Sequence, residues 1–388
     1  MILDLHNENL TINGKPINQN EQILIVPVSQ HDYIKKSDSN IESEERQYIR
    51  ISNGIISINT SWFGEYPLFY FVKNKHIILT SSFINLIEKL KEYSYHSLTL
   101  DRTGILETML FDLPLRSRTL FENIYKVLPG KKIEINTRIF SITIQTTFIL
   151  PFDKGGHKGT KQELLDKAVE IIKGLSKSFE KINMENIILP LSGGLDSRLL
   201  ACLLNEKGIS INALTFGPKE STEIIIARKV AKLLNQPVIH LELKNEYYKT
   251  YGDDVTRLTG GLSSPMHCHL FSVLSENSIH GDKIIHGFLG GEYAGASQPD
   301  HANIFSMTVD SALRNYIKSH LESKRLWDKI TINDKTNIIN DLKEIMNENC
   351  KQNLPCHFDE YIHNVDRQFS LIANVFSPVE SFATLIRP

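Results

Sequence analysis

Two rhythms of apolar residues divide the chain. Up to about residue 150 the apolar runs are short: Ile23–Val28, Tyr48–Ile58, Pro67–Lys73, His76–Thr80 and Lys131–Ile135. They are rich in β-branched and aromatic residues and separated by Gly, Asn and Asp, which predicts strands joined by turns. In this half only Leu98–Phe111 has helical character. Further on, Leu164, Leu165, Ala168, Ile171, Ile172 and Leu175 recur at spacings of three and four, predicting an amphipathic helix over Lys161–Ile182. A strand over Asn186–Leu191 follows, then a helix over Ser197–Lys207, a strand over Ile209–Phe216, a helix over Thr222–Leu234 and a strand over Pro237–Leu243. Strands that are apolar throughout and alternate with helices predict a parallel sheet covered on both faces. Lys283–Gly287 is a further strand running into Gly-rich sequence, and from about Ser306 the pattern is helical. The stretch Pro151–Thr160 (PFDKGGHKGT) has no periodicity and reads as a linker. The expected division is therefore a β-rich domain over 1–150 and an α/β domain with a helical extension over 160–388.

Composition acts mainly by exclusion. A chain of 388 residues exceeds one ordinary core, in keeping with two domains. Its net charge of −2 lacks the basic surplus that phosphate-backbone binding requires, so nucleic acid is not an expected partner. Met1–Leu10 carries an acid at Asp4 and neither a basic segment nor a long apolar core, so it does not read as a signal peptide. No apolar run reaches the roughly 18 residues of a membrane span. Cys202, Cys268, Cys350 and Cys356 are scattered without C-x-x-C spacing, even with His357 beside Cys356. They read as free thiols, which places the protein in the cytoplasm.

The chemistry concentrates in one stretch, Ile187 to Arg198, where an apolar strand runs through Ser192-Gly193-Gly194-Leu195-Asp196-Ser197 directly into a helix. Gly193 and Gly194 let the backbone turn tightly and bring its N–H groups against an anion. Ser192 and Ser197 add hydroxyl donors, and the helix directs its positive end at the same place. Asp196 would repel a bare phosphate and makes sense with Mg²⁺ between them. The pattern G-x-x-x-x-G-K-[ST] is absent, so cleavage between the β- and γ-phosphates in the P-loop manner is not expected.

This hexamer resembles the signature of the PP-loop ATP pyrophosphatases, and its neighbours resemble the asparagine-synthetase-like branch. Ser61 to Tyr70 (SWFGEYPLFY) is similar to that family's D-x-x-G-x-x-P-L-Y-Y. Leu79-Thr80-Ser81-Ser82 with Leu86-Ile87, and Thr119-Leu120-Phe121 through Leu128-Pro129-Gly130, resemble two further stretches in the right order. Beyond the loop, Thr215-Phe216-Gly217, Glu223 with Ala227, Val230 and Ala231, Ser263-Ser264-Pro265-Met266 and Gly287 to Gly295 continue the likeness. The resemblance covers roughly residues 50 to 388. It implies an N-terminal domain of the Ntn-hydrolase (glutaminase) type and a C-terminal domain that binds ATP and Mg²⁺. Ser192 to Ser197, Leu195 included, would hold the pyrophosphate half, with Leu191, Phe216, Gly217 and Gly287 around adenine and ribose. Asp196 and Glu292 would hold the metal and serve catalysis. His267, near the turn at Pro265, is a candidate acid or base.

The departures narrow the reading. The family's glutaminase nucleophile is an N-terminal Cys, whereas residue 2 is Ile and no Cys precedes Cys202. The first domain is thus expected to be a degenerate glutaminase serving as scaffold. In the second motif Phe288 and Gly291 replace acids, leaving Glu292, and Gly261 stands where the family has Arg. The chain ends at Arg387-Pro388, resembling the start of a family motif after which a catalytic Lys would follow. The expected activity is an AMP-forming ligase in which a carboxylate on a small molecule or peptide attacks the α-phosphorus and an amine then forms an amide or lactam. Members without the Cys include β-lactam synthetases and lasso-peptide cyclases, and sugar-modifying members are a further option. The rival reading is a nucleotide-binding pseudoenzyme or assembly partner, working with another protein or as a homodimer. RNA thiolation is disfavoured because paired cysteines and a basic surface are missing. Zinc at His267-Cys268-His269 is disfavoured because residues i and i+2 of a helix face apart. His286, at a strand end that the resemblance puts near the nucleotide, reads as a packing residue.

Overall fold

The computed structural model describes residues 2–6, 9–17, 23–27, 33–35, 48–62, 67–93, 95, 98–152, 159–179, 186–287, 306–367, 378–379, 382 and 384–386. They fall in two compact units. Unit 1 comprises Met1–Lys154, Asp254–Ser264 and Ser297–Ser377; unit 2 comprises Gly155–Asp253, Pro265–Ala296 and Pro378–Pro388. The first boundary lies within the stretch expected as a linker. The portion expected as one domain over 160–388 contributes residues to both units. The architecture is mixed α/β, with antiparallel sheets in unit 1 and a parallel sheet in unit 2.

Unit 1 carries twelve strands among its described residues: β1 (Ile2–His6), β2 (Asn9–Ile12), β3 (Lys15–Pro16), β4 (Ile23–Pro27), β5 (Tyr33–Lys35), β6 (Tyr48–Ser52), β7 (Ile55–Asn59), β8 (Phe69–Lys73), β9 (His76–Thr80), β10 (Ile124–Lys126), β11 (Lys131–Asn136) and β12 (Ser141–Thr146). They form two six-stranded sheets, ordered β10-β8-β9-β1-β2-β3 and β12-β11-β7-β6-β4-β5. Period-two alternation explains the layering. Ile77 and Leu79 of β9 share one core with Ile56 and Ile58 of β7 and Ile133 and Ile135 of β11. Ile78, between them, joins Phe69 and Phe71 in a second core beneath helix α1 (Phe83–Glu92). The run Tyr48–Ile58, expected as one strand, is a hairpin. Asn53 (φ 53°) and Gly54 (φ 76°) both take the left-handed conformation, which a two-residue turn of this hand requires.

Unit 1 also contains helices. Helix α2 (Arg102–Phe111) shares a core with helices Val309–His320 and Ile332–Asn349, through Leu106, Leu110, Leu313, Ile338 and Leu342 among others. Paired charges border this core. Arg118 lies 3.3 Å from buried Glu107 and 2.7 Å from Asp341, and Arg102 Nε donates to Asp334 Oδ1 at 2.9 Å.

Unit 2 contains helix α3 (Lys161–Ser178), β13 (Ile187–Pro190), α4 (Leu195–Glu206), β14 (Ile211–Phe216), α5 (Thr222–Leu233), β15 (Val238–Leu241), α7 (His269–Asn277), β16 (Lys283–Ile285) and β17 (Thr384–Ile386), with α6 (Tyr247–Thr259) running across the boundary between its residues and those of unit 1. The sheet order is β15-β14-β13-β16-β17, every pair parallel. Ile187, Leu189, Ala213 and Ile285 meet Leu200, Leu204 and Ala227 in one core, while the alternate residues Ile188, Leu214 and Ile284 are buried as well. Both faces are therefore covered, as the apolar strands imply. Helix α3 departs from expectation. Ile172 and Leu175 pack on the core, but Leu164, Leu165 and Ile171 are exposed, because only the C-terminal part of the helix reaches it. Among the described residues no helix is long and apolar enough to cross a membrane.

Candidate functional site

In the parallel sheet β13 is central, with β14 on one side and β16 on the other. Connections that leave a central strand in opposite directions open a crevice beyond the carboxyl ends of the strands. The Ser192–Ser197 stretch lies there, between the end of β13 and the first turn of α4. A cavity of about 420 Å³ opens at the same place. It is lined by Leu191, Ser192, Gly194, Asp196 and Ser197 from the loop, Leu214, Thr215 and Phe216 from β14, Glu223 and Ile224 from α5, and His269, His286 and Gly287. Its size suits a small-molecule ligand.

The two serines tie the loop together. Ser192 N–H donates to Ser197 Oγ at 3.1 Å, the two hydroxyl oxygens are 3.1 Å apart, and Gly194 N–H donates to Ser192 Oγ at 3.1 Å. Only one hydroxyl proton is needed between the two oxygens, so the other is available elsewhere. The helix begins unusually. Its N-cap is Gly194, which offers no side-chain acceptor. Ser, Thr, Asp or Asn would normally cap the first-turn N–H groups, and with Gly those donors are left for an anion.

Two close approaches hold this geometry. A Cβ on Gly193 would stand 3.0 Å from Glu223 Cα, so the start of α5 lies hard against the loop. A Cβ on Gly287 would stand 3.1 Å from the backbone C of Asp196 and N of Ser197. The end of β16 therefore abuts the first turn of α4, and a side chain in either place would part the two elements.

The sequence-predicted residues are distributed as follows. Leu191, Ser192, Gly194, Asp196, Ser197, Phe216 and Gly287 line the cavity. Gly193 supports the loop from behind, and Leu195 is 74% exposed. Gly217 follows Phe216 with φ 129°, its N–H donating to Leu241 O at 3.1 Å and its carbonyl 2.9 Å from His240 Nε2. His267 is exposed and is not among the lining residues; His269, two residues on, is. Glu292, Phe288, Gly291, Arg387 and Pro388 lie outside the described residues. Asp196 is thus the one expected metal ligand whose position is described, and it sits in the first turn of α4. Among the described residues no three His, Cys, Asp or Glu side chains form a metal-binding group. An Mg²⁺ held by one carboxylate, waters and ligand phosphates needs no such group.

Two histidines also line the cavity: His286, which the sequence reading puts near the nucleotide as a packing residue, and His269, which it weighs only as a zinc ligand. Burial, with His267 nearby, holds the His269 imidazole below its ordinary range. Burial pushes His286 down to about 4. Burial thus disfavours the charged form of both rings. The position of His286 just before Gly287 is the signal for it, whereas His269 enters only the disfavoured zinc reading, since no span for α7 is predicted. No protein-family model matches the chain, and no curated protein matches it in a sequence search.

Proposed function

We propose that unit 2 binds Mg·ATP at the Ser192–Ser197 loop and that the protein is an AMP-forming ligase of the asparagine-synthetase-like PP-loop type. The observation that carries the reading is the glycine-capped first turn of α4, opening with both loop serines on a cavity at the carboxyl end of a parallel sheet. Close backbone approaches at Gly193 and Gly287 support it, since they fit a cradle built from main-chain donors. Asp196 would hold Mg²⁺, which neutralises phosphate charge when bound. Phe216 and Leu191 give the cavity an apolar wall for the base. In the reaction a carboxylate oxygen of the substrate bonds to the α-phosphorus as the bond to pyrophosphate breaks. An amine nitrogen then bonds to the acyl carbon, AMP leaves, and the nitrogen loses a proton. Positioning and charge stabilisation would provide the catalysis. The two antiparallel sheets of unit 1 are, on this reading, a glutaminase-type scaffold without its nucleophile, and the amine comes free or on the substrate.

Calorimetric titration of Mg·ATP, followed by assay of pyrophosphate release with a panel of carboxylates and amines, tests the proposal. Asp196→Ala should abolish Mg·ATP binding or pyrophosphate release, and a titration unchanged from the parent would overturn the assignment. One observation favours a second reading, nucleotide binding without turnover: among the described residues no Lys or Arg lines the cavity. Binding without pyrophosphate release from any substrate would select it.

A further inference from the structure

The titratable side chains lining the unit 2 cavity are Asp196, Glu223, His269 and His286. Two are acids and two are imidazoles, so the cavity has no fixed positive side chain among the described residues. Arg198 is near in sequence, but its Nε donates to Gly194 O at 3.1 Å and it is not a lining residue. A polyphosphate brought here meets backbone donors, two carboxylates and two groups able to become cationic. We infer that His269 takes up a proton from solvent when a nucleoside triphosphate binds, and so supplies the side-chain positive charge that the described lining of the cavity otherwise lacks. This rests on the nucleotide reading of the site and adds to it a residue and a linked proton.

The surroundings of His269 suit that role. It stands in the first turn of α7 and is half-buried, with its ring 5.6 Å from that of Phe216 and 6.5 Å from that of Tyr247. The Tyr247 hydroxyl is committed to Met266 O at 2.6 Å. The other titratable groups around it are His267 and Cys268 before it in sequence, His286 beyond β16, and Asp196 and Glu223 elsewhere in the cavity lining. An imidazole already charged would take up nothing on binding. One whose charged form is disfavoured by burial and by His267 is ready to be charged by an approaching anion, because an opposite charge within about 4–6 Å favours the ionised form by one to three pH units. His286 is the poorer candidate, since burial holds it down to about 4.

The linkage fixes the sign. If the bound state carries one more proton than the free state, affinity rises as pH falls, by at most about tenfold per pH unit for one proton. The test is calorimetric titration of the full chain with Mg·ATP in buffers of different ionisation enthalpy, between about pH 8 and about pH 6. The expected result is a buffer-dependent heat corresponding to fractional proton uptake, with affinity increasing toward the acid end. His269→Asn should still bind Mg·ATP but lose both the uptake and the pH dependence; His269→Gln serves as a second variant if the first is unstable. His269→Lys, a fixed cation, should bind with little pH dependence. Binding by the parent chain with no buffer-dependent heat, or unchanged uptake in His269→Asn, would overturn the inference while leaving the nucleotide site standing. Failure of the parent chain to bind Mg·ATP at any pH would remove the nucleotide reading and this inference with it.

Discussion

Gly287 offers the most direct way to disturb the loop without touching a polar group. An added Cβ would lie 3.1 Å from Asp196 C and Ser197 N and 3.3 Å from Asp196 O, against an ordinary contact range beginning at 3.4 Å. All three are backbone atoms in the first turn of α4, so no flexible side chain can swing aside. The two elements must separate by about 0.3 Å for the contact with Asp196 C to reach 3.4 Å. Gly287 does not adopt a positive φ, so the cost is steric and not conformational. Overpacking of this kind typically costs about 1–3 kcal/mol, and Gly287→Ala should fall at the lower end because only one methyl is added. The same displacement moves the N–H groups proposed to hold the phosphates. Mg·ATP affinity should fall by up to about tenfold, which corresponds to about 1.4 kcal/mol. Urea unfolding gives the first number and calorimetric titration the second, and Gly287→Val should exaggerate both. A Gly287→Ala protein with parental stability and parental affinity would show that the abutment of β16 and α4 does not set the loop.

A Cβ on Gly174, in exposed α3, would meet nothing within 4 Å, so Gly174→Ala should stabilise the protein by about 0.5–1 kcal/mol in urea unfolding. Buried Asp4 accepts from Tyr93 OH at 2.7 Å and lies 2.9 Å from His76 Nε2; burial raises its carboxyl, but these hydrogen bonds outweigh that and hold it below the ordinary carboxylate range. Its contribution is therefore present above about pH 4 and lost as pH falls through the depressed value, so Asp4→Asn should cost about 1.5–3 kcal/mol near neutrality and progressively less in acid, measured by unfolding across pH. Purified protein should release no glutamate from glutamine above a blank, since Ile2 has a hydrocarbon side chain and its N–H donates to Asn13 Oδ1 at 2.9 Å.

The parts of the fold legible in the sequence are those where one physical rule dominates. Strands β13, β14 and β16 are covered on both faces and so read as largely apolar runs, and the expected spans for them and for α4 and α5 fall within a few residues of the observed elements. The phosphate-loop candidate was legible because a Ser-Gly-Gly turn and a helix start sit side by side. Other elements were missed for specific reasons. Strand β12 (SITIQT) pairs along one edge with β11 but is largely exposed, so burial left little mark on it. Helix α6 (YYKTYGDDVTRLT) buries Gly252 and Thr259 beside Val255, so large apolar residues do not mark its inward face. Strand β1 is missed although Leu3 and Leu5 alternate with Asp4 and His6; the strand is short, and Asp4 is a charge that is buried yet fully partnered. Asn53-Gly54 was a readable hairpin signal inside a run expected as a single strand. The contribution of His269 to the cavity depends on the placement of α7, which sequence periodicity did not specify.

Perturbed ionisation alone would not have found the site, because unit 1 contains more of it than unit 2. Burial drives the Glu107 carboxyl well up and the Lys126 amine down to about 8. Yet these groups are spoken for. Glu107 accepts from Leu115 N–H at 2.9 Å and lies 3.3 Å from Arg118, and Lys126 donates to Pro114 O at 2.6 Å. Arg118 in turn reaches Asp341 at 2.7 Å and Asp101 at 3.1 Å. Such a network links α2 to the helix Ile332–Asn349 and gives a buried charge its partner within the protein, which makes it structural. In unit 2 the perturbed groups are fewer, but His269 and His286 line a cavity beside an uncapped helix start and a glycine cradle. A shifted group becomes informative about function where the protein leaves room for an outside partner beside an unclaimed anion cradle, as at the carboxyl end of β13; the unit 1 cavities lined by Lys126 and Glu348 and by Tyr316 and Asp359 have no such cradle among the described residues.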